Sequence, residues 1–153
     1  MKDTILTATV VLALGAGQAT AQPACPNPGR LSKGNIELAL VGKWACAKDG
    51  ADMWNEQLTG SSGSSFQECH SGLSTGPDPM DPNKGTWVTT GNPPPANDPG
   101  TITYTYPPSG GSYTYQVYQV TAGATYTFCR PSDGKTYTVH ITTCPPPTLN
   151  NCP

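Results

Sequence analysis

Along residues 101–143 small hydroxyl-bearing residues alternate with large aromatic or aliphatic ones at a period of two, the pattern of strands with one face buried. One tetrad recurs: Thr103-Tyr104-Thr105-Tyr106, Ser112-Tyr113-Thr114-Tyr115, Thr125-Tyr126-Thr127-Phe128 and Thr136-Tyr137-Thr138-Val139. The starts lie 9, 13 and 11 residues apart, which suits successive antiparallel strands. Between them stand Pro107-Pro108-Ser109-Gly110-Gly111, Thr121-Ala122-Gly123 and Pro131-Ser132-Asp133-Gly134, residues that tolerate tight-turn dihedrals. A four-stranded meander is predicted. Sorting by parity puts Tyr104, Tyr106, Tyr113, Tyr115, Tyr126 and Tyr137 on one face with Ile102, Val117, Phe128, Val139 and Ile141, and the threonines with His140 on the other. Tyr118 and Val120 fall on the opposite parity, which calls for a bulge near Val117.

Upstream the pattern is less regular. Residues 36–41 are apolar enough for a buried strand or for a helical turn with Ile36 and Leu40 on one side, and the length does not arbitrate. Lys43-Trp44-Ala45-Cys46-Ala47 reads as a strand with Trp44 and Cys46 on one face. Trp54 and Leu58, four apart, suit one face of a helix. Residues 60–65, Gly-Ser-Ser-Gly-Ser-Ser, have the composition of a flexible linker. Residues 76–83 contain three prolines and are predicted to be a loop, because proline removes ladder donors. Strand character returns over 86–90 around Trp87.

Composition bears on how such a chain holds together. Residues 1–21 have the order of a secretory signal, a basic start, an apolar run over 5–16 and then Ala19-Thr20-Ala21. The apolar run is too short to span a bilayer. Pro and Gly make up 32 of the 132 residues that follow, close to the range of disordered chains. Six cysteines, Cys25, Cys46, Cys69, Cys129, Cys144 and Cys152, answer that, since an exported chain pairs them and small loop-rich domains are stapled by such bridges. Fifteen connectivities are open, and Cys46 with Cys129 is placed first, followed by Cys144 with Cys25 or Cys152. The reading is an all-β fold, a small antiparallel barrel or sandwich of six to eight strands, disulfide-stapled, with the meander at its C-terminal side. Its divisions are a signal peptide (1–21), an irregular arm (22–34), one β-domain (35–144) and a Pro-rich tail (145–153).

A net charge of −2 gives no field to attract nucleic acid or an anionic membrane. Metal-ligand spacings of the Cys-x-x-Cys kind are absent from the sequence, neither His70 nor His140 lies in a nucleophile motif such as Gly-x-Ser-x-Gly, and Gly60-Ser61-Ser62-Gly63 lacks the lysine of a phosphate-cradling loop. Glu56, Glu68 and His70 would form an acid–base cluster only if their segments converged. The chain is therefore read as a non-enzymatic protein without cofactor or metal, exported to the periplasm or the medium.

Gly42-Lys43-Trp44 ahead of a meander resembles the Gly-x-Trp start of lipocalin-like and other calycin-type barrels. From Leu38 to Cys144 the chain also resembles small secreted bacterial β-rich proteins of unassigned function. That likeness runs through the strand ending in Cys46, Trp54-Asn55-Glu56, Gly85-Thr86-Trp87 and Tyr126-Thr127-Phe128-Cys129. What these resemblances imply is a compact exported β-domain rather than a chemistry.

If the aromatic face points inward, Trp44, Trp87, Tyr104, Tyr106, Tyr113, Tyr115, Tyr126 and Tyr137 line a pocket for a small amphipathic or apolar ligand, the rings giving affinity and the hydroxyls orientation. The alternative is a structural or interaction module of the cell surface or matrix. It would bind sugars through an exposed aromatic face, or self-associate through neutral, unprotected strand edges.

Overall fold

The computed structural model describes residues 25, 29–50, 52–72, 76–77, 81–92, 99–108 and 110–142. The expected signal peptide and C-terminal tail, with Cys144 and Cys152, lie outside the described residues. The chain enters through a short helix, α1 (Lys33–Leu40), whose Ser32 side chain caps it by accepting from the Asn35 N–H. Ile36, Ala39 and Leu40 form its buried stripe. The alternative of a strand over 36–41 is thereby settled in favour of helix. Gly42, at φ +74°, ends it by turning the chain where a residue with a Cβ would be strained.

Nine strands follow: β1 (Trp44–Asp49), β2 (Asp52–Leu58), β3 (Ser65–Gly72), β4 (Gly76–Pro77), β5 (Asp81–Thr90), β6 (Thr101–Tyr106), β7 (Gly111–Thr121), β8 (Thr125–Cys129) and β9 (Thr136–Thr142). All neighbours pair antiparallel, and β1 pairs with β2 on one side and β9 on the other. With β2 on β3 and β3 on β5, the sheet closes into an eight-stranded up-and-down barrel. The two-residue β4 extends the same edge of β3 that β5 occupies. The predicted meander is β6 to β9, in sequential order. Closure leaves none of the eight barrel strands with an unpaired edge among the described residues, so the edges that motivated self-association are used within the molecule.

Alternation sets the two surfaces. On β5, Gly85, Trp87 and Thr89 are buried whereas Thr86, Val88 and Thr90 are exposed. The outer face carries hydroxyl pairs across the ladder, Thr103 with Thr114 at 2.8 Å and Thr105 with Ser112 at 2.9 Å, the cross-strand partnership that suits threonine in sheets. One end of the barrel is filled by Leu58, Phe66, Trp87, Ile102 and Val117, all at most 2 % exposed. The α1 stripe of Ile36 and Leu40 joins the same core and packs against β5 and β6. Trp87 Nε1 donates to the Thr59 carbonyl at 3.0 Å, and Thr89 donates to Glu37 of the helix. Helix and strands thus seal this end with their polar groups satisfied.

Several local expectations are corrected. Trp54 and Leu58 lie on strand β2, not a helix; a spacing of four satisfies the period of a strand as well as that of a helix. Residues 60–65 are an ordered connection, with Gly63 N–H on the Trp87 carbonyl at 2.7 Å, Trp87 N–H on the Ser64 carbonyl at 3.0 Å and Thr89 N–H on Ser62 Oγ at 2.9 Å. Residues 76–83 contribute β4 and the start of β5, where a register shift between Phe66 and Glu68 accommodates the irregular stretch. The bulge of β7 falls between Gln119 and Thr121, not near Val117. Tyr118 needs no switch of sides: it stands opposite Thr127 on the outer parity, next to the inward pair Val117 and Phe128, and Arg30 of the N-terminal arm forms an antiparallel bridge with it.

Cys129 is bridged to Cys25, not to Cys46. In register, Cys46 stands opposite His140 and His140 opposite Thr125, so Cys129 is two strands away and four residues along, beyond disulfide reach. Cys46 and Cys69 are also disulfide-bonded. Asn55 separates them in register, a gap of ~9.6 Å that rules out a bridge between these two. Among the described residues no helix is long and apolar enough to cross a membrane.

Gly85 is where the barrel wall has no room. A Cβ there would stand 2.1 Å from the Thr105 carbonyl oxygen and 2.8 Å from the Phe66 ring. Gly85→Ala is expected to lower unfolding free energy by about 2 kcal/mol through overpacking. The denaturant midpoint is the check, and an unchanged midpoint would contradict the wall contact.

Candidate functional site

At the end away from α1 the barrel holds a cavity of about 580 Å³, within the range of small-molecule sites. Its shape follows from unequal side chains at inward positions. Tyr104 and Tyr106 project from β6, Tyr113 and Tyr115 from β7, Phe128 from β8, Tyr137 and Val139 from β9, and Trp54 from β2. Facing them, β1 contributes only Ala45, Ala47 and Asp49. An eight-stranded barrel is just wide enough for its side chains to fill it or for one small ligand; alanines on β1 leave the second outcome.

The rings form a continuous edge-to-face chain. Phe66 lies 5.3 Å from Tyr104 and 5.1 Å from Tyr106, Tyr104 is 6.2 Å from Tyr115, Tyr115 is 6.0 Å from Tyr137, and Tyr137 is 5.5 Å from Trp54. This geometry matches ring edges to ring faces and locks each rotamer through its neighbour. Two cations sit at the rim, Arg130 over Tyr113 at 5.5 Å and Lys135 over Tyr137 at 5.6 Å. Arg130 is held by Asp133, and Lys135 by Asp49.

Deeper in the barrel two carboxyl groups share the wall. Glu56 on β2 and Glu68 on β3 are direct register partners, and both are buried. Glu68 pairs with Lys84 Nζ of β5 at 3.0 Å. Glu56 accepts a hydrogen bond from the Tyr106 hydroxyl. Burial is the main reason that the Glu56 carboxyl is pushed up to about 8, and the charge of Glu68 adds to it; the Tyr106 hydrogen bond and the Lys84 charge oppose. Burial, and secondarily the charge of Glu56, push the Tyr104 and Tyr106 phenols up as well. At neutral pH the Tyr104 and Tyr106 phenols therefore keep their protons and Glu56 is largely uncharged.

Of the eight residues singled out from the sequence, Tyr104, Tyr106, Tyr113, Tyr115 and Tyr137 line this cavity. Trp87 and Tyr126 point inward but belong to the solid core. Trp44 is on the outer surface, because Ala45 and Ala47 take the inward positions of β1. Of the acid–base trio, Glu56 and Glu68 come together and both line the cavity; His70 stands beside Trp54 in register, and its side chain lies outside the described residues. Sequence reasoning did not assign Trp54, Glu56, Glu68, Lys84, Phe128 or Arg130 to the pocket. A usable signal was the parity of Trp54, Glu56 and Leu58, which places a carboxyl on the same face as two large apolar residues.

Comparison with protein-family models, with curated proteins and with solved structures returned no match to this chain.

Proposed function

We propose that this protein is a non-enzymatic binding protein of an oxidising, extracytoplasmic compartment that holds one small amphipathic molecule in the open end of its barrel. The observation that carries this reading is the cavity of about 580 Å³ bounded on one side by five of the tyrosines and on the other by alanines. Rings and hydroxyls on one wall supply what such a ligand needs, apolar contact with a few orienting polar groups. The Cys25–Cys129 bridge suits a compartment in which disulfides persist.

Trp54, on the cavity wall, reports occupancy. Titration of the oxidised protein with 2-phenylethanol, a ring carrying one hydroxyl, is expected to give saturable one-to-one quenching of tryptophan fluorescence. Ala47→Phe fills the cavity from β1 and is expected to weaken that binding at least tenfold. Unsaturable quenching, or binding indifferent to Ala47→Phe, would overturn the proposal.

A further inference from the structure

Among the described residues Glu56 is the one acid lining this cavity that makes no ion pair. Lys84 is engaged by Glu68 at 3.0 Å, Arg130 by Asp133 and Lys135 by Asp49. Among the described residues the single hydrogen bond to Glu56 is that of the Tyr106 hydroxyl, onto Oε1, so Oε2 remains for whatever enters. The residue is 5 % exposed, and that exposure faces the cavity. We propose that the cavity selects ligands bearing a protonated amine on an aromatic or aliphatic body, with Glu56 as the counter-charge. This rests on the reading of the barrel as a ligand-binding protein and names the chemistry of its ligand.

Three features converge on a cation. A carboxylate in a desolvated wall interacts far more strongly with an ammonium group than one in water does. The Tyr104 and Tyr106 phenols keep their protons and their oxygens can accept the remaining N–H bonds, and ring faces attract positive charge. An anionic ligand would meet two carboxyl groups, and a neutral one would leave Glu56 protonated.

Exchange is balanced at one atom. Before binding, the Glu56 carboxyl holds its proton; when the ammonium group arrives, that proton passes to solvent and the carboxylate–ammonium pair forms. Glu56 is faced by Glu68 from β3, Lys84 from β5, Tyr104 and Tyr106 from β6 and Tyr115 from β7. With its carboxyl pushed up to about 8, amine affinity must rise with pH below that value, by up to about tenfold per unit.

The test compares three near-isosteric probes by isothermal titration calorimetry on the oxidised protein at pH 6, 7 and 8: 2-phenylethylamine, 2-phenylethanol and 3-phenylpropionate. The amine is expected to bind most tightly at pH 8, to strengthen by more than tenfold from pH 6, and to release protons, seen as heats that change with the buffer. The alcohol is expected to show no pH trend, and the acid to bind weakest. Glu56→Gln is expected to bring the amine down to the affinity of the alcohol and to flatten its pH dependence. If the alcohol binds and the amine gains nothing over it, or the amine's affinity is flat with pH in the unmutated protein, the amine proposal fails while the ligand-binding reading stands. If none of the three binds saturably, both fail together.

Discussion

Between pH 5 and pH 8 the unliganded protein is expected to lose on the order of 4 kcal/mol of folding stability through Glu56 alone, and Glu56→Gln is expected to abolish that loss. The unfolded chain releases the Glu56 proton near 4.5, whereas the folded barrel holds it up to about 8. Between those values the folded state binds the extra proton, so stability falls as pH rises, by roughly 1.4 kcal/mol per unit. Below the lower value the contribution is fully present; above the upper one the loss is complete. A domain of this size has roughly 5–15 kcal/mol in total, so the effect is large. Urea unfolding of the oxidised protein and of Glu56→Gln at pH 5, 6, 7 and 8 isolates it, because every other titrating group is common to both. Parallel pH curves for the two proteins would show that burial of Glu56 is not coupled to the fold.

Removing the Cys25–Cys129 bridge is expected to cost about 4 kcal/mol. The two cysteines are 104 residues apart, and a loop of that length loses much entropy in the unfolded chain when it is closed. The same bond ties down the arm that precedes α1. Without it the arm depends on Leu31 N–H to the Val117 carbonyl at 2.8 Å, Gly100 N–H to the Leu31 carbonyl at 2.8 Å and Arg30 Nε to the Gly100 carbonyl at 3.0 Å. The double variant Cys25→Ala/Cys129→Ala leaves the bonds of Cys46 and Cys69 in place, and its denaturant midpoint reads the cost. A change below about 1 kcal/mol would mean that those three hydrogen bonds suffice. Non-reducing peptide mapping of the parent protein is expected to join Cys25 to Cys129 and not Cys46 to Cys69.

Period-two alternation made β6 to β9 legible, because each strand buries rings on one side and exposes threonine on the other. It also made the inward turn of the tyrosines legible, since burying that much aromatic surface is strongly favoured. Elsewhere the code was ambiguous or silent. Trp54 and Leu58 satisfy two periods at once. In β3 the inward sequence after Phe66 is carried by Glu68, so a strand with a polar interior gave no apolar signal. The site suffered from the same cause: a barrel with a cavity breaks the rule that inward means apolar, so Glu56 and Glu68 were candidates for a cluster only if their segments converged, Lys84 gave no signal, and closure is what brought the three together. Trp44 misled in the opposite way, a large ring on the outer face of β1 while two alanines took the inner one.

The separation between a sealed end and an open one has a consequence for how such a molecule is altered. Because the strands run alternately up and down, β1, β3, β6 and β8 all end at the open mouth, while α1, Trp87 and Phe66 anchor the other end. Residues at the mouth such as Tyr113, 36 % exposed, and Arg130 are therefore open to exchange with little effect on the foundation. The barrel is in this sense a template whose cavity lining is open to redesign at one pole while its integrity is kept at the other.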